Sequence, residues 1–315
     1  LLGVEVALAP DVIGADVEAA AAALEPGAVL LLENTRWEPG EKANDPDFAA
    51  ALAALADVYV NDAFGAAHRA HASTEGVTHS LPAYAGLLLE REVRELTAVL
   101  ADPARPLVVV LGGAKVTDKI GVIERFLDLA DRILIGGAMC FSFFRAAGHG
   151  TGDSLVEEDG IGPAGRALER AAGSRCELEL PTDLVLGASF SADAEPVVSD
   201  GVEVPDGMMG LDIGPRSARA YAETVTGAGT VFWNGPMGAF ELAPFAAGTR
   251  AVAEAVADAD ATTIVGGGDS AAALTAFGLA DRVDWLSTGG GASLELIEGK
   301  PLPGVEALLD AGGKE

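Results

Sequence analysis

Short runs of aliphatic and β-branched residues alternate with apolar positions at helical spacing along almost the whole chain. The runs VEVALA, AVLLLE, DVYVNDA, PLVVVLG, RILIGG, ELELPTDLVL, TVFWNG, TTIVGG and VDWLSTG predict strands. Between them, apolar residues three and four apart predict helices over 15–24, 46–56, 84–101, 117–130, 138–147, 163–173, 215–224, 246–257, 270–276 and 292–298. Strands alternating with helices imply parallel sheets covered on both faces, so the predicted class is α/β. Ligands in such folds sit outside the carboxyl ends of the strands.

The stretch AYAGLLLEREVRELTAVLADPARP carries an apolar stripe at Leu88, Leu89, Val93, Leu96 and Leu100, and Pro103 and Pro106 stop the helix before the next strand. The pattern fits an ordinary crossover or a spine between two lobes. The spine reading divides the chain into a lobe over 1–84, a helix over 85–102, a second lobe over 103–287 and a C-terminal segment over 288–315.

Charge narrows the partners. The formal net charge of −28 over 315 residues repels nucleic acid and anionic membrane, so neither is expected, and an anionic ligand needs a local basic island. Cys140 and Cys176 are the only cysteines, which fits a reducing compartment and a cytoplasmic location. The longest apolar stretch, ILIGGAMCFSFF, is about 12 residues, too short to span a bilayer. The opening LLG reads as the last turn of a helix capped at Gly3, so the chain is expected to begin in mid-fold.

Glycine clusters follow five of the strand patterns, at Gly112-Gly113, Gly136-Gly137, Gly235, Gly266 to Gly268 and Gly289 to Gly291. Glycine there lets backbone N–H groups approach an anion, and five clusters predict one polyanion lying across several strand ends. Tight turns alone would also use glycine. No P-loop lysine motif is present, and no dinucleotide fingerprint follows any of these predicted strands.

Lysine occurs only at positions 42, 115, 119, 300 and 314. Lys115 and Lys119, four apart after a glycine turn, would repel each other on one helix face unless an anion lies between them. Asp269 follows three glycines at a helix start, where it is an N-cap or, beside a polyphosphate, a Mg²⁺ ligand. In VNDAFGAAHRAHAST, His68, Arg69 and His71 crowd one loop, and Arg36 follows another strand; both suit an acidic metabolite. Two basic centres in different lobes suit phosphoryl transfer between two ligands, with lobe closure excluding water.

These stretches, together with LLENTRW, LGGAKVTDKIGVIE, SLVEEDG, GLDIGP, WNGPMGAFE, IVGGGDSAAA and STGGGASLELIEGKPLPGVEAL, resemble the phosphoglycerate kinase family over essentially the whole chain. The resemblance implies two Rossmann-like three-layer lobes with parallel sheets, joined by the long helix, and a C-terminal segment returning toward the first lobe. It implies a monomer that transfers phosphate between 1,3-bisphosphoglycerate and ADP, giving 3-phosphoglycerate and ATP, with Mg²⁺ at Asp269. The transfer is direct, with no covalent enzyme intermediate.

Carried over by residue, Lys115, Gly290 and Arg69 fall at catalytic positions, and Arg36, His68 and Arg69 at acidic-substrate positions. Gly112, Gly113, Ala114, Lys115, Lys119, Gly136, Gly137, Asn234, Glu241, Gly267, Gly268, Asp269 and Ser270 fall at nucleotide positions. Two departures stand out. Ala138 replaces a third glycine of the adenine-side loop. The family's opening strand and the histidine-arginine loop after its second strand find no counterpart, so the first lobe is expected to lack its first strands. A nucleotide-binding fragment without turnover, and another kinase or ligase on similar lobes, are the alternatives.

Overall fold

The computed structural model describes residues 3–312. It divides into two compact units, one formed by the chain up to Val93 with the segment from Gly299 onward, the other by Arg94–Glu298. The helical turn expected at Leu1 and Leu2 lies outside the described residues.

The first unit opens with β1 (Val6–Leu8), α1 (Ala15–Ala22), β2 (Val29–Leu31), α2 (Pro39–Ala43), α3 (Pro46–Ala53), β3 (Tyr59–Asn61) and β4 (Ala83–Ala85). Two parallel pairs form, β1 with β2 and β3 with β4. Asp45 caps α3 by accepting the Asp47 and Phe48 N–H groups, with Pro46 at the first helical position. Phe48 and Ala49 then pack with Val12 and Ala72 in a small core. Leu8, Leu31, Val60 and Tyr84 are exposed on the strand pairs.

Helix α4 (Leu87–Ala101) contains the boundary between the units. Its buried stripe is Leu89, Leu96 and Val99, with the exposed Leu88 outside it. The second unit continues with β5 (Leu107–Leu111), α5 (Ile120–Leu129), β6 (Arg132–Ile135), α6 (Cys140–Ala146), α7 (Glu158–Ala172), β7 (Glu177–Glu179), β8 (Leu184–Gly187), β9 (Val197–Val198), β10 (Met209–Ile213), α8 (Pro215–Thr226), β11 (Thr230–Asn234), α9 (Ala247–Asp258), β12 (Thr262–Gly266), α10 (Gly268–Phe277), β13 (Trp285–Ser287) and α11 (Gly291–Ile297). A final helix, α12 (Pro303–Gly312), belongs to the first unit, where Gly304 N–H donates to Ala67 O at 2.8 Å.

A six-stranded, wholly parallel sheet runs in the order β13-β12-β11-β5-β6-β7. Its central strands β5 and β11 are buried at every position, which is why they read as unbroken apolar runs. Side chains alternate between faces. Val231 and Trp233 join the core formed with Tyr221 and Val225 of α8 and Val252 and Val256 of α9. Phe232 instead meets Phe126 of α5, ring centroids 5.5 Å apart.

Several elements depart from the sequence expectation; residues 84 and 85, expected to open a helix, end strand β4, and α2, β9 and α12 were not predicted. ELELPTDLVL is two strands, because Pro181 interrupts it: β7 closes the parallel sheet, whereas β8 joins a separate antiparallel sheet, β10-β8-β9. This small antiparallel sheet is an addition to the expected parallel one. Strand β10 was hidden by Gly210 and Asp212, and a side chain at Gly210 would collide with the Phe141 ring. Helix α7 begins at Glu158, five residues before Pro163, which reads from sequence as a helix start.

Candidate active site

All five glycine clusters end strands of the one parallel sheet, so the order β13-β12-β11-β5-β6 lines them up along one edge. Their amides are not an open anion nest, however. Gly112 N–H donates to Asn234 O, Gly113 N–H to Pro236 O, Gly136 N–H to Leu111 O and Gly137 N–H to Met237 O. Gly235 N–H donates to the Ser270 hydroxyl at 2.6 Å. These glycines serve backbone-on-backbone contact. A Cβ at Gly112 would lie 2.0 Å from Pro236 O, and one at Gly137, whose φ is +65°, 2.4 Å from Gly113 N. At these three clusters the glycines do the work of tight turns, the alternative that the sequence left open, rather than offering N–H groups to an anion.

Donors remain at the start of α10. Its helical bonds begin with Ala271 N–H on Gly267 O, so the amides of Gly268, Asp269 and Ser270 form its first turn. The helix dipole adds positive potential there. Asp269 is not the N-cap: that position is Gly267, and no side chain caps the helix.

The two lysines are not helix-face partners either. Helix α5 begins at Ile120, so Lys115 lies in the preceding loop and Lys119 at the N-cap. Lys115 is exposed, whereas Lys119 is 8 % exposed. Lys119 Nζ donates to Gly112 O at 2.5 Å and to Asn234 O at 2.8 Å. Burial pulls its pKa down to about 8, against the opposing attraction of Asp269 and Asp118. An ammonium has three donors, and two are engaged here.

Lys115, Lys119, Asn234, Gly268, Asp269 and Ser270 line a cavity of about 300 Å³, with Gly113, Ala114 and Gly267 in its wall. A larger cavity of about 980 Å³ shares Gly113, Ala114 and Asp269 with it, so the two lie side by side. Phe141, Leu155, Leu211 and Met237 make the larger one mainly apolar, with Gly137, Ala138 and Glu241 on its wall. Gly290, at φ +53°, caps α11 beyond β13. Sequence reasoning passed over Asp212, which also lines the large cavity. It is 4 % exposed and accepts N–H bonds from Gly248 (2.6 Å) and Ile213 (2.9 Å). Burial pushes its pKa up to about 7. Only its place inside GLDIGP could have flagged it.

In the first unit, Arg36 sits in a single turn, Thr35–Trp37, whose Asn34 carboxamide oxygen accepts the Arg36 N–H. Arg69 Nε donates to His68 Nε2 at 3.2 Å. Burial lowers the His71 pKa; Glu41 opposes the shift, while Arg36, Arg69 and Lys42 reinforce it, so these basic groups share one field. The buried Glu41, which no sequence signal marked, ties the loop down. Its carboxylate accepts Ser73 N–H at 3.0 Å and Ser73 O–H at 2.6 Å. Asp62 accepts the Leu88 and Leu89 N–H groups and so caps α4.

A parallel sheet presenting a polar, lysine-bearing pocket beside an apolar slot, at its strand ends, has the architecture of an α/β phosphotransferase. The phosphoglycerate kinase family model matches residues 1–300. Phosphoglycerate kinase from Moorella thermoacetica is 58% identical over 310 residues, covering 98% of this chain and 79% of its own length. Cytosolic phosphoglycerate kinase from Triticum aestivum is 53% identical, covering 99% of this chain and 79% of its own. Among solved structures, phosphoglycerate kinase from Pyrococcus horikoshii superposes with a TM-score of 0.88 at 31% identity, over 98% of this chain and 80% of that one. The Coxiella burnetii structure gives 0.84 at 43% identity, over 91% and 74%. The chain belongs to the phosphoglycerate kinase family, whose members are kinases that use ATP and ADP as substrates.

Proposed function

We propose that this chain catalyses reversible phosphoryl transfer between 1,3-bisphosphoglycerate and ADP, giving 3-phosphoglycerate and ATP. The observation that carries the reading is the convergence of Lys115, Lys119, Asp269 and the α10 N-terminus on one polar cavity that adjoins an apolar one. Phosphates fit the first and an adenosine the second. Glu241 is assigned to the ribose, and Gly136, Gly137 and Ala138 to the adenine side.

Lys119 holds the nucleotide phosphates, and the exposed Lys115 meets the phosphoryl group in flight, where negative charge spreads over its three equatorial oxygens. Gly290 completes the surroundings of that group. Arg36, His68 and Arg69 take the acidic substrate, with Arg suited to bidentate grip of carboxylate or phosphate. The chemistry needs no nucleophile on the protein, only placement and fixed positive charge.

No cluster of three or more His, Cys, Asp or Glu able to hold a metal exists among the described residues. Asp269, which lines the phosphate cavity together with Asp118, fits Mg²⁺, which takes one or two protein carboxylates and fills its shell with phosphate oxygens and water. When bound there, it neutralises phosphate charge. We assign the protein to the cytoplasm, in keeping with the cytosolic relative from Triticum aestivum, and take it to act as a monomer.

The test is ATP-dependent phosphorylation of 3-phosphoglycerate with Mg²⁺, read through a coupled dehydrogenase. Turnover that falls by about 10²-fold or more in Lys115→Ala is expected. ADP binding with no 3-phosphoglycerate-dependent turnover would refute the reading.

A further inference from the structure

Lys115 stands on a loop, not on a helix, which raises the question of what fixes it. One end of the loop is pinned where Gly113 N–H donates to Pro236 O and Met139 N–H to Gly113 O. The other is pinned where Lys119 N–H donates to Val116 O and Lys119 Nζ grips two carbonyls. Between these ends, one side chain gathers the residues immediately after Lys115. The Glu157 carboxylate accepts the Thr117 N–H at 3.0 Å and the Thr117 hydroxyl.

Glu157 occupies the N-cap of α7, where Ser, Thr, Asp or Asn would satisfy the helix's own first-turn donors. Its side chain makes no cap bond. The acid reaches away from its helix to a loop about 40 residues earlier in sequence. Its backbone is held for that reach, because its carbonyl accepts both the Ser142 hydroxyl (3.1 Å) and the Gly160 N–H (3.0 Å). Gly160 leaves room for it: a Cβ there would lie 2.8 Å from Glu157 Oε2 and 3.2 Å from Val116 Cβ. Burial pushes the Glu157 pKa up, but the Thr117 hydroxyl, the Thr117 and Val116 amides and the nearby Lys115 charge outweigh it and leave it below the ordinary carboxylate value. The group is therefore an anion at neutral pH.

From this geometry we infer that Glu157 is a positioning residue for phosphoryl transfer, a fixed anion that shapes the 115–117 backbone and so aims Lys115 at the transferring group. The inference rests on the assignment of Lys115 above. Glu157 touches no substrate; it acts through the lysine. A misplacement of about 1 Å in such a group costs on the order of 10²-fold in rate.

The experiment is a double-mutant cycle on the full chain, reading kcat and KM for ATP and 3-phosphoglycerate. Glu157→Ala should lower kcat by about 10²-fold with KM changed less than about threefold, and Glu157→Gln, which keeps one acceptor, should lie between it and the parent. In the Lys115→Ala background, Glu157→Ala should add less than about twofold. Equal losses of kcat in both backgrounds, or no loss in the first, would overturn the inference, since a merely structural role acts whether or not the lysine is present. If Glu157→Ala does not fold, Thr117→Val, which removes only the hydroxyl donor, enters the same cycle with the same criterion. If Lys115→Ala itself leaves kcat unchanged, the assignment of Lys115 fails, and this inference falls with it.

Discussion

Replacing Lys119 by Met separates what the buried ammonium does for the fold from what it does for the reaction. The drop in its pKa from 10.5 to about 8 corresponds to about 3.4 kcal/mol, at 1.36 kcal/mol per pH unit, by which the fold disfavours the charged form. The two bonds to Gly112 O and Asn234 O are already included in that balance. Met fills similar volume without the charge. Asn234 O keeps its bond from Gly112 N–H, but Gly112 O loses its ammonium partner, at a cost of about 1–3 kcal/mol.

Gain and loss nearly cancel, so Lys119→Met should change stability at pH 7 by less than about 2 kcal/mol. Turnover should fall about 10²–10³-fold, the loss typical of removing one preorganised charge-stabilising donor, here one that holds the nucleotide phosphates. The pH dependence carries the sign. Below about 8 the lysine is charged in both folded and unfolded chains. From there to 10.5 only the unfolded chain keeps the proton, so parent stability rises with pH relative to the variant. Between pH 7 and 9.5 the difference should shift by about 2 kcal/mol toward the parent. Urea unfolding of both proteins across that range measures it, and other titrating groups cancel in the difference. A pH-independent difference, or a Met variant with parental turnover, would refute the reasoning.

Asp212 predicts the opposite slope. With its pKa raised from 3.8 to about 7, the folded chain holds a proton that the unfolded chain releases, so this group's contribution is full below 3.8 and declines by up to about 4 kcal/mol as pH rises to about 7. Asp212→Asn should flatten that decline in urea midpoints taken at pH 5 and 7.5, and an unchanged profile would count against a buried, neutral carboxyl. Gly112→Ala should lower the melting temperature by roughly 2–12 °C, because the new methyl meets a backbone oxygen that cannot swing away. Calorimetry showing parental melting would contradict the close approach of the two strand ends.

The residues with the most visible chemistry, Lys115, Lys119 and Asp269, were legible because glycine and lysine are conspicuous after apolar runs in so acidic a chain. Their local settings were not. A helix period extended backward to residue 117 put Lys119 in the first helical turn, one turn from Lys115, yet the chain turns irregularly until Lys119, the N-cap. Glu41, Glu157 and Asp212 escaped notice because their partners lie about 30 to 40 residues away, beyond any local pattern.

By itself, the sequence determined the alternation of elements, the α/β class, the family and the positions of the turns, since these depend on side-chain periodicity and on residues with special backbone freedom. Tertiary structure decided the strand order that sets residues 112–119 beside 234–235 and 267–270, and the antiparallel sheet built from β8 and β10. It also decided that the amides of Gly112, Gly113, Gly136, Gly137 and Gly235 bond within the protein and that Lys119 is buried on a carbonyl 115 residues away. Burial and hydrogen-bond satisfaction are properties of neighbours, and neighbours across a parallel sheet are chosen by the packing of the whole unit.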